Sequence, residues 1–153
     1  MGLDMYLNKV KKEEVAYWRK ANAIHAWFER HLAEDEDGLE NCRSYYVSKE
    51  LLEQLKHDCE TVLKASKLVY KDVSVKRYNY DTRNYETAIE KLYVIDDISV
   101  AEELLPTQSG FFFGSTFYDE GYIDDLKNTI DQIDKILETT DFDEEGIEYC
   151  AWW

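Results

Sequence analysis

Two hydrophobic periods alternate along the chain. Leu3, Met5 and Leu7 are interleaved with Asp4, Tyr6 and Asn8, a period of two that predicts a half-buried strand over residues 2–9. From Glu13 to about Ala33 the spacing changes. Tyr17, Ala21, Ile24, Phe28 and Leu32 recur every three or four residues and predict a long helix with one apolar stripe. On that helix Trp18, Asn22 and His25 fall along one shoulder and Lys20, Trp27 and His31 along the other, while Arg19, Ala23, Ala26 and Arg30 face away from the core.

Tyr45–Val47 reads as a short strand, and Ser48 as the N-cap of a helix with Glu50 in its first turn. Leu51, Leu52, Leu55, Cys59, Val62 and Leu63 form its core face, which makes Cys59 a small buried hydrophobe. Residues 68–80 alternate again and predict a strand or a hairpin. Asp81–Asn84 is a turn, and Tyr85–Ile95 fits either a helix or a partner strand. Ser99 is expected to cap a short helix ending before Pro106. Residues 118–138 then give the clearest helix, through Ile123, Leu126, Ile130, Ile133 and Leu137. The tail, residues 147–153, alternates as a last strand, and its closing Trp152–Trp153 suggests a docked end. Together these elements predict an α+β fold: one domain over 1–153, with a small, mostly antiparallel sheet and three main helices packed on it.

Between the last two helices lies the stretch Leu104–Thr116, with the chain's only proline, two of its six glycines and three consecutive phenylalanines. It is expected to leave a helix at Pro106, turn at Ser109–Gly110 and run extended, so that Phe111 and Phe113 share one side and Phe112 takes the other.

Composition narrows the function classes. The 18 basic and 33 acidic residues give a net charge of −15, which repels nucleic-acid backbones and anionic membranes and suits either a solvated acidic surface or a basic partner. Cys42, Cys59 and Cys150 form no C-x-x-C pair, in keeping with a reducing cytoplasm. No secretory leader or bilayer-spanning run is read, and Leu7 stands where a myristoylation motif needs Ser or Thr.

Asp141–Gly146 matches the first half of a calcium loop, but Trp152 stands where the bidentate carboxylate belongs. His25, His31 and His57 lack structural-zinc spacing. No phosphate-loop lysine or G-x-S-x-G elbow occurs, so no metal, cofactor or catalytic residue is assigned.

Recognition of a small planar ligand fits better. Trp18, Phe112 or Phe113 could stack on a base, and Asn22 and Gln108 could read its edge. Ser109, Ser115 and Thr116 could hold phosphate or ribose, with Arg19, Lys20 or His25 supplying charge. The alternative for Trp18 and His25 is that they border the core with satisfied hydrogen bonds. At least one face of the phenylalanine run is also core.

The segments Met1–Leu7, Tyr17–His25, Tyr46–Ser48 and Ala101–Thr116 resemble a family of small phage and prophage accessory proteins over nearly the whole chain. Relative to its shorter members, residues at about 68–98 look inserted. The resemblance implies a protein of the host bacterial cytoplasm acting against host defence. Three readings follow: sequestration of a nucleotide-derived immune signal of the cyclic ADP-ribose or cyclic dinucleotide type; an acidic nucleic-acid mimic that blocks a basic host protein; or a small hydrolase with His25 as general base. The expected partner is a small nucleotide-like ligand, with no direct nucleic acid and no membrane. A homo-oligomer is compatible with the long acidic helix.

Overall fold

The computed structural model describes residues 3–153 and is α+β. Its elements are α1 (Asn22–Leu32), β1 (Ser44–Val47), α2 (Lys49–Ala65), β2 (Leu68–Asn79), β3 (Asn84–Ile95), α3 (Ser99–Leu104), α4 (Glu120–Thr139) and β4 (Ile147–Cys150). The strands form two antiparallel pairs, β1 with β4 and β2 with β3.

The core lies where α1, α2, α3 and α4 meet. Ile24, Trp27 and Phe28 of α1 pack with Leu52, Leu55, Cys59 and Val62 of α2, and with Leu126, Ile133 and Ile136 of α4. Ser48 caps α2 by accepting the Leu51 N–H at 3.1 Å, and Asp119 caps α4 by accepting from Tyr122 at 3.0 Å. Each satisfies an orphan donor of a first turn. Ile98 rather than Ser99 sits at the N-cap of α3. Asp97 Oδ1 instead accepts the Ser99 N–H.

Burying Trp27 completely requires a partner for its indole N–H, and Asp58 of α2 accepts it at 2.8 Å. Gln54 donates to the other carboxylate oxygen at 2.9 Å, so this buried acid is satisfied from two sides.

Two N-terminal expectations are overturned. Residues 3–9 form no strand: Leu3, Met5 and Leu7 are exposed, and none of the strand pairs among the described residues includes them. The expected Gly2 end lies outside the described residues. The first helix also begins at Asn22, not Glu13. Residues 13–18 run outside any helix along α4, where Gln132 Oε1 accepts the Tyr17 N–H at 2.7 Å and the Trp18 indole donates to Thr129 Oγ1 at 2.9 Å. Lys20 then takes a left-handed conformation (φ 59°) that interrupts helical propagation. Tyr17 is therefore exposed, while Ala23, Ala26 and Trp27 are buried.

Residues 68–95 are a single ribbon of two 12-residue strands in unbroken register, from Leu68↔Ile95 to Asn79↔Asn84. The ribbon joins the body at its base, where Ile95 N–H donates to Tyr118 O and Asp96 N–H to Lys67 O, both at 2.8 Å. The β1–β4 pair carries the chain end back to α1, where Tyr149 stacks on Phe28 at 4.1 Å.

Candidate functional site

α1 and the 106–116 loop are neighbours, joined by Asn22. Its side-chain NH2 donates to Phe113 O at 3.0 Å and to Ser115 O at 2.8 Å, and its oxygen accepts the Gln108 N–H at 3.0 Å. A buried amide with four hydrogen-bonding positions thus spends three on the loop backbone. Asn22 is a staple, and the expectation that it reads a ligand edge is corrected.

The loop is not an extended strand either. Phe113 N–H returns to Gly110 O at 3.2 Å, closing a turn over Phe111–Phe112. Phe112 (φ 67°) and Gly114 (φ 86°) are left-handed. The Phe113 ring covers Gly110, where a Cβ would lie 2.7 Å from it. This turn replaces the expected face alternation. Phe113 points inward, with centroids 5.4 Å from His25 and 6.2 Å from Trp153. Phe111 and Phe112 stay outside, edge to face at 4.3 Å and 80% and 72% exposed.

The remaining predicted residues divide. Lys20 backs the loop, its Cβ 3.1 Å from where a Cβ on Gly114 would stand. Ser109, Ser115, Thr116 and Arg19 are exposed. Ser115 Oγ accepts the Phe117 N–H at 3.1 Å, and Thr116 O accepts the Thr107 hydroxyl at 3.0 Å. Trp18 is not part of the site. Because the helix starts four residues later, its ring lies against Phe28 with centroids 6.1 Å apart and its N–H is committed to Thr129.

His25 and Gln108 come together with residues the sequence reading did not select. His25 Nδ1 lies 2.7 Å from Tyr149 Oη, and its ring meets Trp153 edge to face at 5.0 Å. Glu29 Oε1 accepts from Gln108 Nε2 at 3.3 Å, and Glu29 Oε2 stands 3.9 Å from His25 Nε2. Burial holds the His25 imidazole below its usual range despite Glu29, and burial pushes the Tyr149 phenol up. Nδ1 of the neutral imidazole is engaged by the Tyr149 hydroxyl, which leaves Nε2 as the ring nitrogen facing Glu29. That Nε2 and Gln108 Oε1 are both buried without a hydrogen-bond partner. The i,i+4 spacing from His25 to Glu29 was visible in the sequence, whereas the contribution of Tyr149 and Trp153 depends on β4 pairing with β1.

Two concavities form elsewhere. One of about 450 Å³ is bordered by Tyr46, Lys49, Leu137 and Phe142, and one of about 130 Å³ by the acidic 34–40 loop and Arg43. Neither includes His25 or a residue of the 106–116 loop. In the 141–146 segment, Asp141 O accepts from Glu144 and Glu145 in a tight turn. Among the described residues no group of three His, Cys, Asp or Glu side chains is placed to hold a metal ion, and no helix is long and apolar enough to cross a membrane. Cys42 and Cys150 are exposed free thiols, and Cys59 is buried with its thiol pushed up to about 12.

No family model, no curated protein and no solved structure matches this chain.

Proposed function

We infer that this chain is a binding protein that engages a basic protein partner, with Phe111 and Phe112 as its apolar anchor. In the phage setting the resemblance implies, that partner is a component of host defence. The observation that carries the reading is the exposed pair of rings on a loop held by three hydrogen bonds from one buried asparagine. Aromatic anchors dominate protein interfaces, and a loop ordered beforehand loses less entropy on docking. A convex pair of rings suits a protein surface better than a small molecule, which binds in concave sites. The net charge of −15 favours a basic partner and makes association salt-sensitive.

A second reading is a small nucleotide-derived ligand beside His25 and Gln108. It is favoured by two polar atoms, His25 Nε2 and Gln108 Oε1, left buried without hydrogen-bond partners among the described residues, since such groups are costly unless something completes them.

Capture from lysate of a bacterial host, with tagged wild type against Phe111→Ser/Phe112→Ser, separates the two. The first reading expects a basic protein retained by wild type, released as salt rises and lost in the double variant with its circular dichroism unchanged. Capture indifferent to both salt and the substitutions overturns it. Calorimetric binding of a cyclic nucleotide that survives the double substitution but fails in Gln108→Ala would establish the second reading instead.

A further inference from the structure

We propose that the β2–β3 ribbon is a self-association arm: two copies of this chain pack ribbon against ribbon, antiparallel, through the face that carries Tyr70, Tyr78, Tyr85, Ile89 and Tyr93.

The two faces of the ribbon differ. On one, Val75 is 5% exposed and the Arg77–Glu90 ion pair lies diagonally across it. On the other, the cross-strand rows from base to tip are Tyr70–Tyr93, Asp72–Lys91, Ser74–Ile89, Lys76–Thr87 and Tyr78–Tyr85. The rings of the first and last rows touch at 4.9 and 5.3 Å, and Tyr80 of the turn joins the last row at 5.1 Å from Tyr78. Ile89 is 75% exposed, and these five tyrosines are between 42% and 84% exposed. At 150–250 Å² per aromatic side chain and with these exposures, the five rings offer roughly 450–750 Å², to which Ile89 adds. One partner's share of a standard interface is about 800 Å². A two-stranded ribbon is marginal alone and gains from packing its apolar face against another layer.

The order of the rows identifies the occupant. A two-fold axis across the ribbon at the Ser74–Ile89 row turns the face onto a second copy and reverses its direction. Tyr70 then meets Tyr78, Tyr93 meets Tyr85, and Ile89 meets Ile89. Asp72 of each copy meets Lys76 of the other, and Lys91 meets Thr87. The face is self-complementary in rings and in charge at the spacing of packed sheets, about 10 Å.

Charge distribution points the same way. Residues 68–95 hold five basic and four acidic side chains, net +1, which leaves −16 on the rest of a chain whose total is −15. Two such bodies repel, so contact through the ribbon is the arrangement that keeps the acidic surfaces apart.

Sedimentation velocity across the micromolar range on the full chain tests this with two opposite single substitutions, Asp72→Lys and Lys76→Asp. Wild type is expected to dimerise. Each variant alone sets like charges opposite one another and should weaken dimerisation about tenfold or more. An equal mixture of the two recreates both attractive pairs and should restore the dimer, an outcome that damage to folding could not produce. A monomeric wild type, a dimer indifferent to both substitutions, or a mixture that stays monomeric would each overturn the arrangement.

Discussion

At the scale of single residues, Asn22 decides whether the aromatic loop is a rigid feature or a tether. It is buried and joins three points of the loop backbone: Gln108, Phe113 and Ser115. Each such bond contributes about 0.5–1.5 kcal/mol net, and truncation also leaves backbone groups without partners. Asn22→Ala should therefore cost about 2–4 kcal/mol in chemical denaturation. It should also raise amide exchange across 107–116 while α2 and α4 stay protected. Asn22→Asp is the sharper variant, because it retains the acceptor for Gln108 and replaces both donors with acceptors facing carbonyl oxygens. It should not rescue the loop. A denaturation midpoint unchanged in both variants would mean that the loop is held by Phe113 packing alone.

Among the elements, those with a full local pattern were legible in the sequence. α2 had a capping serine and an uninterrupted apolar face, and α4 had near-heptad spacing; both form at the expected places. The ambiguous 85–95 stretch is a strand because Tyr85, Tyr93 and Ile95 find cross-strand partners at Tyr78, Tyr70 and Leu68. The failures share one cause, competition from tertiary contacts that periodicity does not encode. Residues 13–18 could repeat as a helix, yet the backbone of Tyr17 and the indole of Trp18 find partners on α4. The candidate site was half legible for the same reason: Asn22, His25 and Gln108 stand out by residue type and helical spacing, and Glu29 follows from its i,i+4 spacing to His25, whereas Tyr149 and Trp153 join only once β4 pairs with β1. The aromatic loop coils because Gly110 leaves room for the Phe113 ring, which makes two glycines a matched test. Gly110→Ala would place a Cβ 2.7 Å from that ring and should destabilise the chain by about 1–3 kcal/mol through displacement of Phe113. Gly146, whose Cβ would meet nothing within 4 Å, should tolerate alanine within about 0.5 kcal/mol. Equal denaturation midpoints for the two variants would refute the packing argument.

Over the whole molecule the dominant fact is an excess of 15 negative charges, and its cost can be located. Ion pairs such as Lys12–Glu148 and Arg43–Glu40 are exposed and contribute little. The acidic excess bears on stability most where carboxylates are also partly buried. Asp125, at the start of α4, is such a place. Burial first, then the negative charges of Asp119 and Asp124, raise its carboxyl to about 6. An unfolded aspartate titrates near 3.9. Between about 4 and 6 the folded chain therefore holds a proton that the unfolded chain releases, and the Asp125 contribution to stability falls as pH rises through that window. Above it the folded state carries a carboxylate in an environment that disfavours it. Asp125→Asn removes the charge and keeps the size, and the backbone carbonyl that accepts from Thr129 is untouched. With allowance for partial exposure, the substitution should raise the melting midpoint by about 2–4 °C at neutral pH, the shift expected from about 1 kcal/mol in a chain of this length. The gain should shrink as pH falls through 6 and vanish below about 4, where wild type is protonated in both states. Thermal melts of the two proteins from acid to neutral pH make the comparison directly. A gain that is constant with pH would assign the effect to packing, and a loss at neutral pH would mean that the Asp125 carboxylate is stabilised by its surroundings.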